Sequence, residues 1–308
     1  MEQKRLGWLD MAKGFAIILM VLGHTSIPDR LSDFIFAFHM PLFFIASGWC
    51  TNWVKDNYRD FVLKKLRSLG IPFLVYSVAV ILIAWLAGYQ EIEWRSVVAN
   101  GWKGYALWFV PVLFFSLVVA KSIMCFVNKV WQRYTICVLL ILGGALLRYR
   151  HIYLSWTLAT VPYATCLVLL GSSLRKFQEY IDKPRWWIFV IGLIVTIVIS
   201  QNWRLDLAWN NILPVVILTI GAVSGTAMVF TLSSWLNNQK RLSLVSKALL
   251  AIGKETFIIM AFSQIIIVTL NLHTGWGSAV RYVCLAVALF VIVCMKNLVN
   301  RIVGKKLL

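Results

Sequence analysis

Long apolar stretches dominate this 308-residue chain and decide what it can fold into. Hydrophobic residues make up 60% of the chain, compared with roughly 45–50% in a typical soluble domain. A helix needs about 20 mostly apolar residues to cross a bilayer. Stretches near this length cover approximately residues 12–28, 34–52, 71–88, 106–127, 135–148, 155–173, 186–200, 210–233, 248–271 and 278–299. The sequence therefore predicts an all-α integral membrane protein, a bundle of about ten transmembrane helices.

The positive charge is distributed unevenly over the loops between these stretches. The formal net charge of +18 would suggest nucleic-acid binding in a soluble protein. Here, however, about 21 Lys and Arg residues lie on one alternating set of loops and termini and about 7 on the other, which favours an orientation signal. We expect a multi-pass protein of the inner, cytoplasmic (plasma) membrane with both termini cytosolic. Its charge then faces anionic membrane lipids and not nucleic acid.

The chain carries no sign of a second domain. No Gly/Ser-rich or Pro-rich linker is present, so residues 1–308 are predicted to form a single transmembrane domain. The charged pattern of the first two spans does not recur in the second half, which weighs against inverted-repeat transporters without excluding a transporter. None of the four histidines lies three to five residues from another histidine or a cysteine, so no metal site is predicted.

Lys13 and His24 stand inside one nearly uncharged apolar segment, residues 13–28. On an α-helix, eleven residues are about three turns, which places both side chains within roughly 20° of one face and about 16 Å apart. Ionisable residues in a membrane span usually face a bundle interior or a wet cavity, where they handle a proton, an ion or a substrate. Alternatively, Lys13 snorkels to the interface and His24 bonds a neighbouring carbonyl.

Two further polar groups lie in the first half of the chain. Lys64 and Arg67 are one helical turn apart before the third span, and together with Lys13 they suit the phosphates of a cytosolic donor. The alternative is a basic cluster that touches anionic lipid. In the stretch 38–48, FHMPLFFIASG, the pair Ser47 and Gly48 offers a small surface for close helix approach. His39 is expected to assist His24, to bind an acceptor hydroxyl, or to lie at the interface without a role.

Five short motifs together resemble the acyltransferase type 3 family of polytopic membrane proteins, and they occur in that family's order across most of the chain. They are Asp10, Lys13 and His24; Phe43, Phe44, Ser47 and Gly48; Lys64, Arg67 and Pro72; Trp108, Phe109, Val110 and Pro111; and Gly253 with Lys254. Two departures stand out. Lys13 replaces an arginine that is common in relatives, and Ser263 and Gln264 stand where relatives often carry a late histidine.

The resemblance implies transfer of an acyl group, most often acetyl from acetyl-CoA, to a hydroxyl of a cell-envelope glycan or lipid-linked saccharide. A thioester is already activated, so the enzyme mainly needs a base and a fixed orientation. His24 is expected to be the general base because its pKa is intrinsically near neutrality.

The resemblance also suggests roles for the remaining motif residues. His39 and Asp10 are expected to support the catalytic base, and Asp10 either pairs with Lys13 or holds local structure. The residues expected to contact acetyl-CoA are Lys13, Lys64, Arg67, Ser47 and Trp108.

Two other function classes remain open at the level of sequence. In a proton-coupled transporter or flippase, Lys13 and His24 would form a relay without covalent chemistry. In a structural membrane subunit, both residues would tolerate alanine. The concentration of unusual polar residues in the first half of the chain favours the enzyme.

Overall fold

A computed structural model describes residues 6–88, 106–183, 185–273, 275 and 277–302. These residues form fourteen α-helices and no β-strand. The first seven are α1 (Gly7–Gly23), α2 (Asp29–Phe36), α3 (His39–Cys50), α4 (Tyr58–Lys65), α5 (Ile71–Leu86), α6 (Phe109–Phe126) and α7 (Val130–Tyr149). The others are α8 (Val161–Leu174), α9 (Gln178–Asp182), α10 (Trp186–Ser200), α11 (Val215–Asn237), α12 (Ser243–Lys254), α13 (Thr256–His273) and α14 (Ser278–Ile302).

Within the described residues, seven helical stretches are long and apolar enough to cross a membrane. They are Asp29–Cys50, Tyr58–Leu86, Ala106–Phe126, Val130–Tyr149, Ser155–Ile181, Val215–Asn237 and Ser278–Arg301. The count becomes eight if α12 and α13, which meet at an angle of 81°, form one broken span. The prediction of about ten spans is therefore not confirmed. The other two predicted spans lie on α1 and α10, whose 17 and 15 residues are shorter than a typical span.

The basic residues at the two chain ends, Lys4, Arg5 and those in 303–308, lie outside the described residues. The cytosolic location of both termini stays a prediction.

Helix α1 lies at the centre of the bundle, in contact with α2, α3, α11, α12 and α13. Two glycines allow its tightest contact, with α12. A Cβ atom at Gly14 would collide with the backbone carbonyl of Leu249, and one at Gly253 with the carbonyl of Asp10. Gly253 of the late Gly-Lys motif is thus a packing residue that brings α12 against the start of α1.

A second glycine crossing joins α3 and α8. A Cβ atom at Gly48 would strike the carbonyl of Val168, and one at Gly171 would strike the carbonyl of Ile45. Small residues let two helix backbones approach closely where no hydrophobic force drives association in lipid. The interpretation of Gly48 as a surface for close helix packing is confirmed.

One large apolar core runs through α1, α3, α5, α6, α8, α11 and α13. Two helices lie at its edge: only 6% of the apolar window of α7, and likewise of α14, is buried. Exposed Leu, Val and Phe side chains on these helices, such as Leu139 and Phe290, match the composition of a lipid-facing surface. These two helices therefore turn mainly apolar side chains away from the bundle.

Candidate active site

A cavity of about 570 Å³ lies where α1 ends and α3 begins. Its walls also include residues 106–108, the segments 153–159 and 205–210, and Gln264 of α13. Both histidines singled out in the sequence line it, as does Trp108. A volume between roughly 300 and 1,000 Å³ is usual for small-molecule sites, so the cavity is large enough to hold a small molecule.

His24 stands at the C-terminal end of α1. The prediction of a continuous helix through residue 28 is wrong, because α1 ends at Gly23. The Thr25 hydroxyl donates a 2.7 Å hydrogen bond to the carbonyl of Leu22, and Pro28 begins the turn into α2. The His24 ring has no hydrogen-bond partner among the described residues, so both its nitrogens are free to meet a substrate.

His39 opens α3 and is buried, with 2% of its surface exposed. Its Nδ1–H donates a 2.8 Å hydrogen bond to the carbonyl of Ile35. A carbonyl can only accept, so this bond fixes the proton on Nδ1 and leaves Nε2 as an acceptor in the neutral ring. At the break between α2 and α3 the Ile35 carbonyl also accepts a 3.3 Å hydrogen bond from the Phe38 N–H, so the His39 ring is its second donor. Pro41 lies in the first turn of α3.

Phe36 connects the two histidines. Its ring centroid lies 5.5 Å from that of His24 and 5.0 Å from that of His39, both edge to face. The guanidinium of Arg204 lies 4.1 Å from the same ring and donates a 2.6 Å hydrogen bond to Asp33. Sequence reasoning missed Phe36 and Arg204, because nothing in the pattern links residue 204 to the first two spans.

Asp10 and Lys13 form an ion pair of 2.6 Å on α1. Asp10 is 4% exposed, whereas the Lys13 side chain is 24% exposed. The expectation that Asp10 pairs with Lys13 is confirmed by this contact. Neither side chain lines the cavity that holds His24, so the two ends of α1 carry separate polar groups.

The predicted donor-binding residues divide into two groups. Trp108 lines the cavity with the histidines, whereas Ser47, Lys64 and Arg67 do not. Lys64 is 62% exposed and pairs with Asp56 at 3.3 Å, and Arg67 is exposed on the π-helical turn Leu66–Gly70.

The exposed end of α3 gathers further cations. Lys13, Lys65 and Arg175 all interact electrostatically with Cys50, the last residue of α3. Lys65 also lies 5.5 Å from the centre of the Phe61 ring. Sequence reasoning selected Lys64 of this helix, whereas the neighbouring Lys65 is the lysine of α4 that lies near Cys50.

Several cavity residues were not predicted at all. Asp206, Trp209 and Tyr153 reach the cavity from two connecting segments that lack motif character. Gln264 had one signal, namely its position where relatives often carry a histidine.

Comparison of the sequence with models of protein families identifies the family of this chain. The family model described as an acyltransferase domain, of the acyltransferase 3 type, matches residues 6–304. The chain belongs to the acyltransferase 3 family. No curated protein and no solved structure matches it. The apolar helices and this membership together make the protein a multi-pass membrane acyltransferase. The match also covers the segments that hold His24, His39, Trp108 and Gln264.

Proposed function

We propose that this acyltransferase moves an acetyl group from cytosolic acetyl-CoA to a hydroxyl of a cell-envelope glycan or lipid-linked saccharide, with His24 as the general base. The observation that carries the proposal is the shared cavity of His24 and His39. One imidazole can serve as the base and the other can orient the substrate, which are the two things that acyl transfer from a thioester to a hydroxyl mainly needs.

In the proposed step His24 acts first as a base and then as an acid. A nitrogen of His24 takes the proton from the acceptor hydroxyl while that oxygen forms a bond to the thioester carbonyl carbon. The carbon–sulfur bond then breaks, and the CoA thiolate takes a proton from the His24 imidazolium. The products are an acetyl ester and free CoA. His39, whose Nδ1–H is held by Ile35, offers Nε2 as a second acceptor that orients the same substrate.

Acetyl-CoA would reach this cavity from the end of the bundle that carries Lys13, Lys64 and Arg67. Its phosphates carry several negative charges, which Lys contacts as a point charge and Arg as a fork. Ser47 would lie along the donor's path, and Trp108 in the cavity would contact the acetylated end. The charge pattern of the loops supports a cytosolic position for this end.

The test is acetyl-CoA turnover by the purified protein in detergent, measured as free CoA with an envelope glycan extract as acceptor. His24→Ala is expected to lower turnover by about 10²–10⁴-fold, the range for loss of a general base. His151→Asn is the matched control, because His151 is exposed and does not line the cavity. Asn also tolerates the positive φ of 54° at that position.

A folded His24→Ala protein with full transfer would refute the catalytic assignment. The transporter alternative makes the opposite prediction, namely no CoA release by the wild type at millimolar acetyl-CoA. A structural subunit would tolerate alanine at both Lys13 and His24.

A further inference from the structure

Gln264 has an unsatisfied group at the cavity. Its Oε1 atom is buried and has no hydrogen-bond partner among the described residues, and its side chain lines the cavity with His24 and His39. A buried amide oxygen without a partner costs folding free energy, so such atoms in native proteins call for an explanation. A substrate hydroxyl that donates to Oε1 would satisfy it.

Another part of the cavity wall is a loop held in place by hydrogen bonds. The Asp206 side chain accepts a 3.1 Å hydrogen bond from the Ala208 N–H. Asp206 and Asn211 exchange two backbone hydrogen bonds, of 3.1 and 2.8 Å. The Thr160 hydroxyl donates a 2.7 Å bond to the carbonyl of Leu207. The carboxylate of Asp206 is therefore a fixed acceptor at the cavity wall.

Two aromatic rings stand at the rim. The centroids of Tyr153 and Trp209 are 6.4 Å apart, edge to face, and the two side chains are 59% and 61% exposed. A sugar ring has an apolar C–H face that packs on such rings and a belt of hydroxyls that needs acceptors.

Among the described residues that line the cavity, Asp206 carries the only formal charge at neutral pH, counting histidines as neutral.

We propose that the part of the cavity lined by Gln264, Asp206, Tyr153 and Trp209 is the acceptor site and that it selects an uncharged sugar ring. The ring packs on Trp209, one hydroxyl donates to Gln264 Oε1 and another donates to the Asp206 carboxylate, which leaves the reacting hydroxyl facing His24. Repulsion from Asp206 disfavours a phosphorylated or carboxylated ring, since the nearby cation Arg204 is already paired with Asp33. This inference rests on the proposed function, since it assigns the acceptor of the same reaction.

The first test compares transfer with hydrolysis in Gln264→Leu. Transfer is measured as incorporation of radioactive acetyl from acetyl-CoA into the saccharide fraction of membranes from the source organism, and hydrolysis as CoA release by purified protein with water as acceptor. We expect transfer to fall at least tenfold and hydrolysis to change less than twofold. Ser263→Ala is the matched control, because Ser263 is buried next to Gln264 but bonds the carbonyl of Met260.

A second pair of variants covers the possibility that Gln264→Leu does not fold. Trp209→Ala removes the exposed rim ring and is expected to raise the acceptor KM at least fivefold with the KM for acetyl-CoA unchanged. Trp203→Ala, in the same connection but away from the cavity, is expected to behave as wild type. Among the described residues, the loop's hydrogen bonds are made by its backbone and by the side chains of Asp206, Asn210 and Asn211, and by neither tryptophan ring.

The outcomes separate this inference from the proposed function. If wild type acetylates no saccharide, or His24→Ala does so fully, the proposed function fails. If His24→Ala is inactive while Gln264→Leu and Trp209→Ala transfer like their controls, only the acceptor site is overturned. Equal loss of transfer and hydrolysis in Gln264→Leu would also overturn it, because that result places Gln264 on the donor side. Acetyl incorporation mainly into phosphorylated or carboxylated rings would overturn the selection of an uncharged ring.

Discussion

The imidazole of His39 donates its Nδ1–H to the carbonyl of Ile35 at 2.8 Å, across the break between α2 and α3. This bond does two things at once. It gives a second donor to a carbonyl that already accepts a 3.3 Å hydrogen bond from the Phe38 N–H at the break, and it presents Nε2 of a buried ring as an acceptor at the cavity. The break that Pro41 favours is thus also what orients a histidine.

His39→Asn separates these two effects. The asparagine amide can still donate to the Ile35 carbonyl, but it cannot place an acceptor where Nε2 lies. We expect near wild-type thermal stability and a 10- to 100-fold lower kcat, about 1.4–2.7 kcal/mol in the barrier. Turnover and melting temperature in detergent check this, and a stable variant with full kcat would show that His39 only holds the helix break.

Gly48→Ala tests the α3–α8 crossing. The added methyl group would collide with the Val168 carbonyl, so the helices must separate. Overpacking of this kind typically costs about 1–3 kcal/mol. Gly143→Ala on α7 is the matched control, because a Cβ there meets nothing within 4 Å. We expect a lower melting temperature for Gly48→Ala alone, and equal melting temperatures would contradict the collision.

These packing details show what the sequence could and could not predict. Apolar length predicts the helices, and the pair Ser47–Gly48 predicts a close approach, because both are local properties. The partner of Gly48 is more than a hundred residues away, at Val168, and no local pattern specifies it. The count of ten spans is not confirmed, because α1 and α10 are apolar but shorter than a typical span.

In the candidate site, too, the sequence predicts the residues that carry local motifs but not those that reach the cavity from distant segments. His24, His39 and Trp108 carry motif signals and meet at one cavity. Asp206 and Trp209 reach it through a connecting segment, where sequence patterns carry no periodicity. Lys64 was favoured over Lys65 by motif spacing alone. In the structure Lys64 pairs with Asp56, whereas Lys65 lies near Cys50, as Lys13 does.

We expect Lys121 to stabilise the segment between α3 and α4. Its side chain is 2% exposed and donates to the carbonyls of Trp53 and Asp56, at 2.6 and 2.8 Å. Lys121→Met keeps the apolar stem but leaves both carbonyls without this donor. Hydrogen bonds from a charged group contribute about 1.5–3 kcal/mol, so amide exchange in residues 51–57 should accelerate at least tenfold. Lys129→Met, at an exposed lysine, is the control. Equal exchange rates in both variants would show that Lys121 does not hold this segment.

Asp206 predicts a pH dependence of stability. Burial, the main cause, raises the pKa of its carboxyl above the ordinary aspartate value, and Arg204 opposes this shift. The folded state therefore holds the proton more tightly than the unfolded state, and ionisation costs stability as the pH rises through the folded-state pKa. Asp206→Asn still accepts from the Ala208 N–H. Its melting temperature relative to wild type should increase from acid to neutral pH, and a constant difference would contradict this.

We expect the charge of Lys13 in the Asp10–Lys13 pair to contribute to donor binding. Lys13→Gln removes the charge and leaves the buried Asp10 without this partner, which combines a loss of stability with a loss of phosphate contact. The double variant Asp10→Asn, Lys13→Gln removes both charges of the pair and isolates the second effect. We expect the double variant to melt within a few degrees of wild type and to raise the KM for acetyl-CoA about tenfold with the acceptor KM unchanged. Lys13→Arg keeps the charge and should keep the KM within about threefold, since the family's common residue is arginine. An unchanged KM in the double variant would mean that Lys13 serves only to pair Asp10, and the donor phosphates must then be bound by other cations.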